Sequence, residues 1–495
     1  MSHSKKKSKQ RKPRPGKSGA SAATGERLNN EVLTSLNRLG DKLSQLDDEQ
    51  TSPSCPLGDC DVELAVAVAA LDLAGGEGDD TTSAATDSEE SLPQISSDDE
   101  GTLTSPGPAL SHWRTLPLQV QSAYQLLSDG ADYIHATSTK YTLVAKVDAK
   151  EGGNLALELR KGAELVGAGT LLLFSPDCGS SRSLKRYTKQ FARAVISSTV
   201  ALVKSFVDGL AFGAPHDGNN IGAQRTGAVW AACDNLRKVL PRGNRAAMRR
   251  ELMVWVRDCS ESIEEFGGIL ELGPRDDTCG GEEEGCMTDE DQFTESEMDV
   301  ARAAVNLMKC SKNVLALVLK ACESAGDVVE SFVEKSKDGV EAEAVAPEGS
   351  SSESGFQRKG ETLQCISNLH ELGRTVGEGV TNFGVMLYPP LENSSSNEEL
   401  IREASKMTSS ADVNDETDGA MVNTSPLSLQ LERQLRAISE CIGAIEELRP
   451  SITEEVRLAM ERLRGALEVR RKEIQEATTS WSEASNLQPS HGADR

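Results

Sequence analysis

The sequence predicts an all-α protein: antiparallel helical bundles, two of them packed together, with long disordered acidic loops and an N-terminal extension. Three observations carry that expectation. Apolar residues recur every three or four positions along most of the chain, which is the period of one helix face. No window alternates apolar and polar residues between turn signals, so no strand is predicted. Breakers separate the apolar runs at Pro215, Pro241, Gly273-Pro274, Pro389-Pro390, Pro426 and Pro450. Long amphipathic helices joined by short connections build antiparallel bundles.

Residues 1–25 read as a basic disordered tail. The first 17 hold eight basic groups and no acid, and Lys5, Lys6, Lys7, Lys9, Arg11, Lys12 and Arg14 form a candidate nuclear import signal. A solvated tail and a weak nucleic-acid contact are the rival readings. Leu28, Val32, Leu36, Leu39, Leu43 and Leu46 step by three and four, predicting an isolated amphipathic helix over 26–48. Residues 49–110 form an acidic low-complexity linker, with nine acids and no base between 75 and 100. Ser88, Ser96 and Ser97 stand among those acids as candidate phosphosites for an acid-directed kinase. Each phosphate would add roughly -1.5 to -2 charges.

An N-terminal bundle is expected over 111–270. Its helical runs lie at 113–147, 154–174, 183–210, 221–240 and 244–270, with Gly130 interrupting the first and Ser180 or Ser183 capping the third. An acidic loop follows at 271–293; twelve acids between 271 and 299 are opposed by Arg275 alone. The C-terminal bundle spans 294–448, with helical runs at 294–335, 359–387 and 427–448 around a disordered insert at 337–358. Beyond it, 449–495 reads as an extra basic amphipathic helix and tail, carrying Arg457, Arg462, Arg464, Arg470, Arg471 and Lys472.

Two stripes near the C-terminus are candidate partner-binding helices. Leu431, Leu435, Ile438, Ile442 and Ile445 form the first; Leu463 and Leu467 lie on the second. Such stripes suit a partner helix or a short coiled coil, and equally a helical pair completing the bundle of its own chain. The more polar second helix is the better candidate for an exposed surface.

Composition excludes several classes. With 78 acidic and 53 basic residues the net charge is -25, which opposes direct nucleic-acid binding. No stretch of 18 apolar residues exists to span a membrane, and no apolar run follows the basic N-terminus, so a soluble intracellular protein is expected. The eleven cysteines include no Cys-x-x-Cys pair and the six histidines are scattered, so no metal site is predicted. Cys233, Cys259, Cys310, Cys322 and Cys441 fall in apolar helical runs, where a thiol acts as a small hydrophobe. Gly16-Lys17-Ser18 lacks the first glycine of a phosphate loop, and Gly167-Ala168-Gly169 lies in a helical run instead of after a strand. The expectation is no enzyme, no cofactor and no small-molecule substrate.

A resemblance runs through the middle of the chain. Gly227-Ala228-Val229-Trp230-Ala231-Ala232-Cys233-Asp234, followed by Leu240-Pro241-Arg242-Gly243-Asn244-Arg245-Ala246-Ala247, resembles the cyclin-D-binding (GCIP) family. So do the acidic-loop-then-helix layout from Asp291 to Lys312, the step Leu387-Tyr388-Pro389-Pro390-Leu391, and the closing helix from Arg436 to Leu448. The likeness covers roughly 113–448. It marks Val229, Trp230, Ala232, Cys233, Pro241, Asn244, Tyr388, Pro389 and Pro390 as family-motif positions, expected to be structural. Trp230 and Trp255 are expected in the core. Tyr388-Pro389-Pro390 is expected to end a helix, with a polyproline ligand as the rival.

The resemblance implies an all-α, non-enzymatic regulator of cell-cycle progression or transcription in nucleus and cytoplasm. Its implied partners are D-type cyclins and helix-loop-helix proteins. A cytoskeletal or adhesion-type bundle scaffold is the alternative.

Overall fold

The computed structural model describes residues 18–46, 110–212, 220–275, 292–338, 352–391 and 425–487. Those residues are all-α, as expected, with ten α-helices and no strand among them. The chain divides into two compact units. One comprises residues up to His112 and Leu116–Gly243; the other comprises Trp113–Thr115 and Asn244–Arg495. The boundary thus falls at Gly243, upstream of the expected acidic loop, and the helix starting at Asn244 belongs to the second unit. The units part at the turn made by Gly243, whose φ is +88°.

The first unit holds α1 (Ser18–Gln45), α2 (Leu118–Val144), α3 (Ala149–Phe174), α4 (Arg182–Val207) and α5 (Ile221–Lys238). The helices form a closed circuit in the order α1, α3, α2, α5, α4 and back to α1. Here the structure corrects two expectations. The helix predicted to stand isolated is α1, and it is part of the bundle: Val32, Leu36 and Leu43 are buried, and Arg160 of α3 reaches Glu31 at 3.6 Å. Its apolar stripe could not stay in water when α3 and α4 offer a matching face. Gly130 does not interrupt α2 either. It faces Gly162 across the α2–α3 contact, where a Cβ would lie 2.7 Å from the Gly162 carbonyl oxygen. Lower on the same pair a Cβ on Gly169 would lie 2.8 Å from the Ala123 carbonyl oxygen. The glycines serve close backbone approach.

Caps end these helices where the sequence changes. Asp148 accepts from the amides of Lys150 and Glu151 at the start of α3. Ser181, in place of the expected Ser180 or Ser183, caps α4 by accepting from Leu184 N. Gly179 before it, at φ +52°, makes the turn out of α3. Asn220 caps α5 through Ala223 N at 3.2 Å.

The second unit is built around α7 (Glu295–Asp338), with α6 (Asn244–Glu271), α8 (Ser352–Val385), α9 (Pro426–Glu447) and α10 (Glu454–Leu487) packed on it. Trp113 is buried and belongs to this core, lying against Gly326 of α7. A polar link pins three helices together. Gln434 of α9 donates to Ser311 Oγ of α7 and to the Val376 carbonyl of α8, both at 2.9 Å. Gly379 of α8 leaves room for its side chain.

The start of α7 carries a reciprocal capping box. Thr294 Oγ1 accepts from Glu297 N at 3.4 Å, while Glu297 Oε2 accepts from Thr294 N at 2.8 Å. The other oxygen of Glu297 accepts from Leu391 N at 2.7 Å, and Arg275 N donates to Phe293 O at 2.8 Å.

Both predicted partner stripes are occupied within this unit. Leu431, Leu435, Ile438, Ile442 and Ile445 of α9 are buried against α8 and its neighbours. On α10, Leu467 is buried and Leu463 half-buried, alongside Val456, Met460, Ile474 and Trp481, against α7. As faces open to a partner, both stripes are corrected. The helix expected to be basic holds seven acids against six bases, so it is not net basic.

Candidate functional site

The residues that carry the resemblance in the first unit lie on α5 and the turn after it. The core stripe of α5 runs Gly222, Thr226, Val229, Cys233 and Leu236, steps of four and three, and all are buried. Trp230 is one position out of that register. It is 39% exposed, against the expectation of a core indole. The indole stays at the surface because its own face, Ala223, Gly227, Asp234 and Arg237, is small or charged.

Trp230 stacks on His135 of α2, with ring centroids 5.3 Å apart and planes at 25°. The pair is one rung of an antiparallel ladder between α2 and α5. Lys146 reaches Asn220 at 3.5 Å, and Thr142 bonds Thr226 hydroxyl to hydroxyl at 2.5 Å. On the other side of the stack Arg237 bridges Asp132 and Asp234. Lys238 lies 2.9 Å from Asp234. The hydrogen bonds from Lys238 and Arg237 hold the Asp234 carboxyl below its ordinary range. At the end of the ladder Tyr124 donates to the Pro241 carbonyl at 2.7 Å and accepts from Gly243 N at 2.9 Å. Burial pushes that phenol up to about 12. The result is an exposed aromatic platform held on two helices by charged and hydroxyl pairs.

The remaining motif positions separate. Val229, Ala232 and Cys233 are core, and burial pushes the Cys233 thiol up to about 12. Pro241 is buried beneath Tyr124. Asn244, fully buried, opens α6 in the second unit. Tyr388 is exposed in that unit, its ring 5.0 Å from Phe266 and its hydroxyl 2.6 Å from Glu265. That hydrogen bond raises its phenol above the ordinary value. Pro389 and Pro390, joined by a cis bond, follow the end of α8 as expected. The predicted import signal and Ser88, Ser96 and Ser97 lie outside the described residues.

Sequence reasoning missed His135, Asp132 and Tyr124, the α2 residues that complete the ladder. No local motif marks them; only their eight- and three-residue spacing along one helix face was available as a signal. It also missed that Trp230 stood off the core stripe, although the spacing from Thr226 through Val229 to Leu236 was legible.

Reactive chemistry is sparse. Among the described residues no group of three or more His, Cys, Asp or Glu side chains is arranged to hold a metal ion. No described helix is long and apolar enough to cross a membrane. The thiols of Cys178, Cys233, Cys259, Cys310, Cys322 and Cys441 are buried, as predicted for those that lay in apolar runs. Inside the second unit His370 Nε2 lies 3.7 Å from Glu251 Oε2, joining α6 to α8.

Residues 126–272 match the family model described as Grap2 and cyclin-D-interacting, N-terminal. The GCIP resemblance is thereby shown over a segment that begins within α2 and runs through α6. It contains the His135–Trp230 stack and the whole turn at Pro241. No curated protein matches the chain.

Proposed function

We propose that the chain is a non-enzymatic regulatory interaction protein that binds D-type cyclins or helix-loop-helix proteins, in nucleus and cytoplasm, and modulates cell-cycle progression or transcription. One observation carries the reading. The GCIP-type segment presents Trp230, a large aromatic of the type that dominates protein interfaces, on a two-helix platform flanked on one side by Asp132, Asp234, Arg237 and Lys238. A partner would cover the indole and meet a polar rim. The description of the family names cyclin D and Grap2; for this chain those partners are part of the proposal.

The test is affinity purification with mass spectrometry on the wild-type chain and on Trp230→Ala. Recovery of a cyclin or helix-loop-helix protein, reduced roughly tenfold or more by the substitution, is the expected outcome. Recovery of neither from the wild-type chain sinks the reading.

The burial of the α9 stripe and most of the α10 stripe within the unit favours a second reading, a cytoskeletal or adhesion-type bundle scaffold. Purification that returns cytoskeletal proteins in place of cyclins would move the conclusion there.

A further inference from the structure

In a chain of net charge -25, α4 contains six basic residues and no acid. Five of the six lie on one face. Arg182, Arg186, Lys189 and Arg193 step by four, three and four, and Lys204 returns to the same face eleven residues later. Arg182, Arg193 and Lys204 are exposed; Arg186 and Lys189 are half-buried. The sixth, Lys185, is turned inward, its ammonium 5.8 Å from the centre of the Phe174 ring. The stripe runs from Arg182 to Lys204, about 33 Å at 1.5 Å per residue.

The two ends of one segment are held near the N-terminal half of α4, one on Lys189 and the other on the turn just before the helix. Lys189 donates to the carbonyl of Leu46, the residue that follows α1. At the other end Ser111 N donates to Gly179 O at 3.3 Å, and Ser111 Oγ to Cys178 O at 2.7 Å, three and four residues before Arg182. Between those anchors lie residues 47–109, which hold sixteen acids and no Lys, Arg or His. An acid-only segment thus leaves and re-enters the first unit beside its acid-free basic helix.

We propose that the basic stripe of α4 is a docking surface for the chain's own acidic segment, the carboxylates of 77–100 pairing with Arg182, Arg186, Lys189, Arg193 and Lys204. Charge complementarity supplies the attraction, and tethering at both ends makes the encounter intramolecular, raising its effective concentration. Phosphate on Ser88, Ser96 or Ser97 strengthens the contact, because each adds charge of the attracting sign. Any acidic partner that approaches α4 has to displace this segment first. The stripe is separate from the Trp230 platform, so neither reading depends on the other.

The experiment is zero-length carbodiimide cross-linking of the full chain, read by mass spectrometry, on an equal mixture of ordinary and nitrogen-15-labelled protein. Links from Lys189 and Lys204 to acids of 77–100 are expected to exceed those from Lys140 and Lys161, exposed lysines on α2 and α3, by roughly fivefold or more at low salt. They should fall to the level of those controls at 1 M salt, where the screening length is about 3 Å. Links to residues 47–49 are excluded from the comparison because they adjoin Leu46. Each linked pair should carry one isotope; mixed pairs would put a second copy on the stripe and overturn the proposal. Equal yields from all four lysines would overturn it as well. Arg186→Glu with Arg193→Glu should abolish the excess at an unchanged circular dichroism melt. If that variant is unfolded, Glu89→Gln, Glu90→Gln, Asp98→Asn and Asp99→Asn together should lower the excess severalfold, and an unchanged yield refutes the pairing.

Discussion

Val229 and Trp230 are neighbours in sequence with opposite fates: the first has no exposed surface, and the second is 39% exposed against His135. The difference separates stability from binding. Val229→Ala removes two buried carbons from the core and should cost about 2 kcal/mol in denaturant unfolding. Trp230→Ala should cost about 1 kcal/mol or less, the scale of one aromatic pair, while removing the partner contact. Unfolding midpoints and pull-downs on the two variants check this. A Trp230→Ala chain that unfolds as readily as a core variant would show that the indole is structural.

Close approach of α2 and α3 gives a test of sign. Alanine is a better helix former than glycine by about 1 kcal/mol. Gly443→Ala on α9, where a Cβ meets nothing within 4 Å, should therefore stabilise the chain by roughly 0.5–1 kcal/mol. Gly130→Ala should destabilise it, since its Cβ would sit 2.7 Å from a backbone oxygen that cannot rotate away. Overpacking of this kind costs about 1–3 kcal/mol and outweighs the propensity gain. Thermal melts of the two single variants decide it.

Gln434 should be hard to replace. Leucine in its place fills a similar volume but leaves the Val376 carbonyl without this donor in a dry core. The cost should be about 1–3 kcal/mol by chemical denaturation. Gln434→Leu that unfolds at the wild-type denaturant concentration would mean the polar link sets nothing.

Alkaline pH should destabilise the fold through its thiols. Burial pushes Cys233, Cys259 and Cys441 up to about 12, above the ordinary thiol value. A folded-state value raised above the unfolded one gives stability that is complete below about pH 9 and is lost as pH rises towards 12. The unfolded chain then sheds protons that the folded chain keeps. Each of the three should contribute a loss of roughly 1 kcal/mol by pH 10 relative to pH 7.5. Denaturation of wild type and of Cys233→Ala at both pH values measures it; an equal pH loss in the two would exclude Cys233 from the effect.

Helix positions were legible because a stripe needs only spacing. The runs expected at 154–174 and 183–210 match α3 and α4 to within a few residues at each end. The destination of a stripe is not local information. The α9 stripe looks the same whether it meets α8 or a foreign helix, so Leu431 and Ile445 were open to both readings until their neighbours were placed. The unit boundary failed for a related reason. Charge composition flagged 271–293, whereas the division is made by Gly243 and by Trp113, which joins Gly326 some two hundred residues further along. Of the platform, Trp230 was legible and its partner His135 was not, because a contact between helices leaves no mark in either one alone.

The paired hydrogen bonds at the foot of α7 have a practical consequence. Arg275 and Phe293 are tied to each other, and Glu297 fastens the helix start to Leu391, so the chain on either side of residues 276–291 is secured without them. Whatever is spliced between those two anchors inherits a ready-made socket. Lengthening a connection whose ends are already clamped costs only about 0.6 kcal/mol per doubling. That makes the stretch a natural port for a fluorescent reporter.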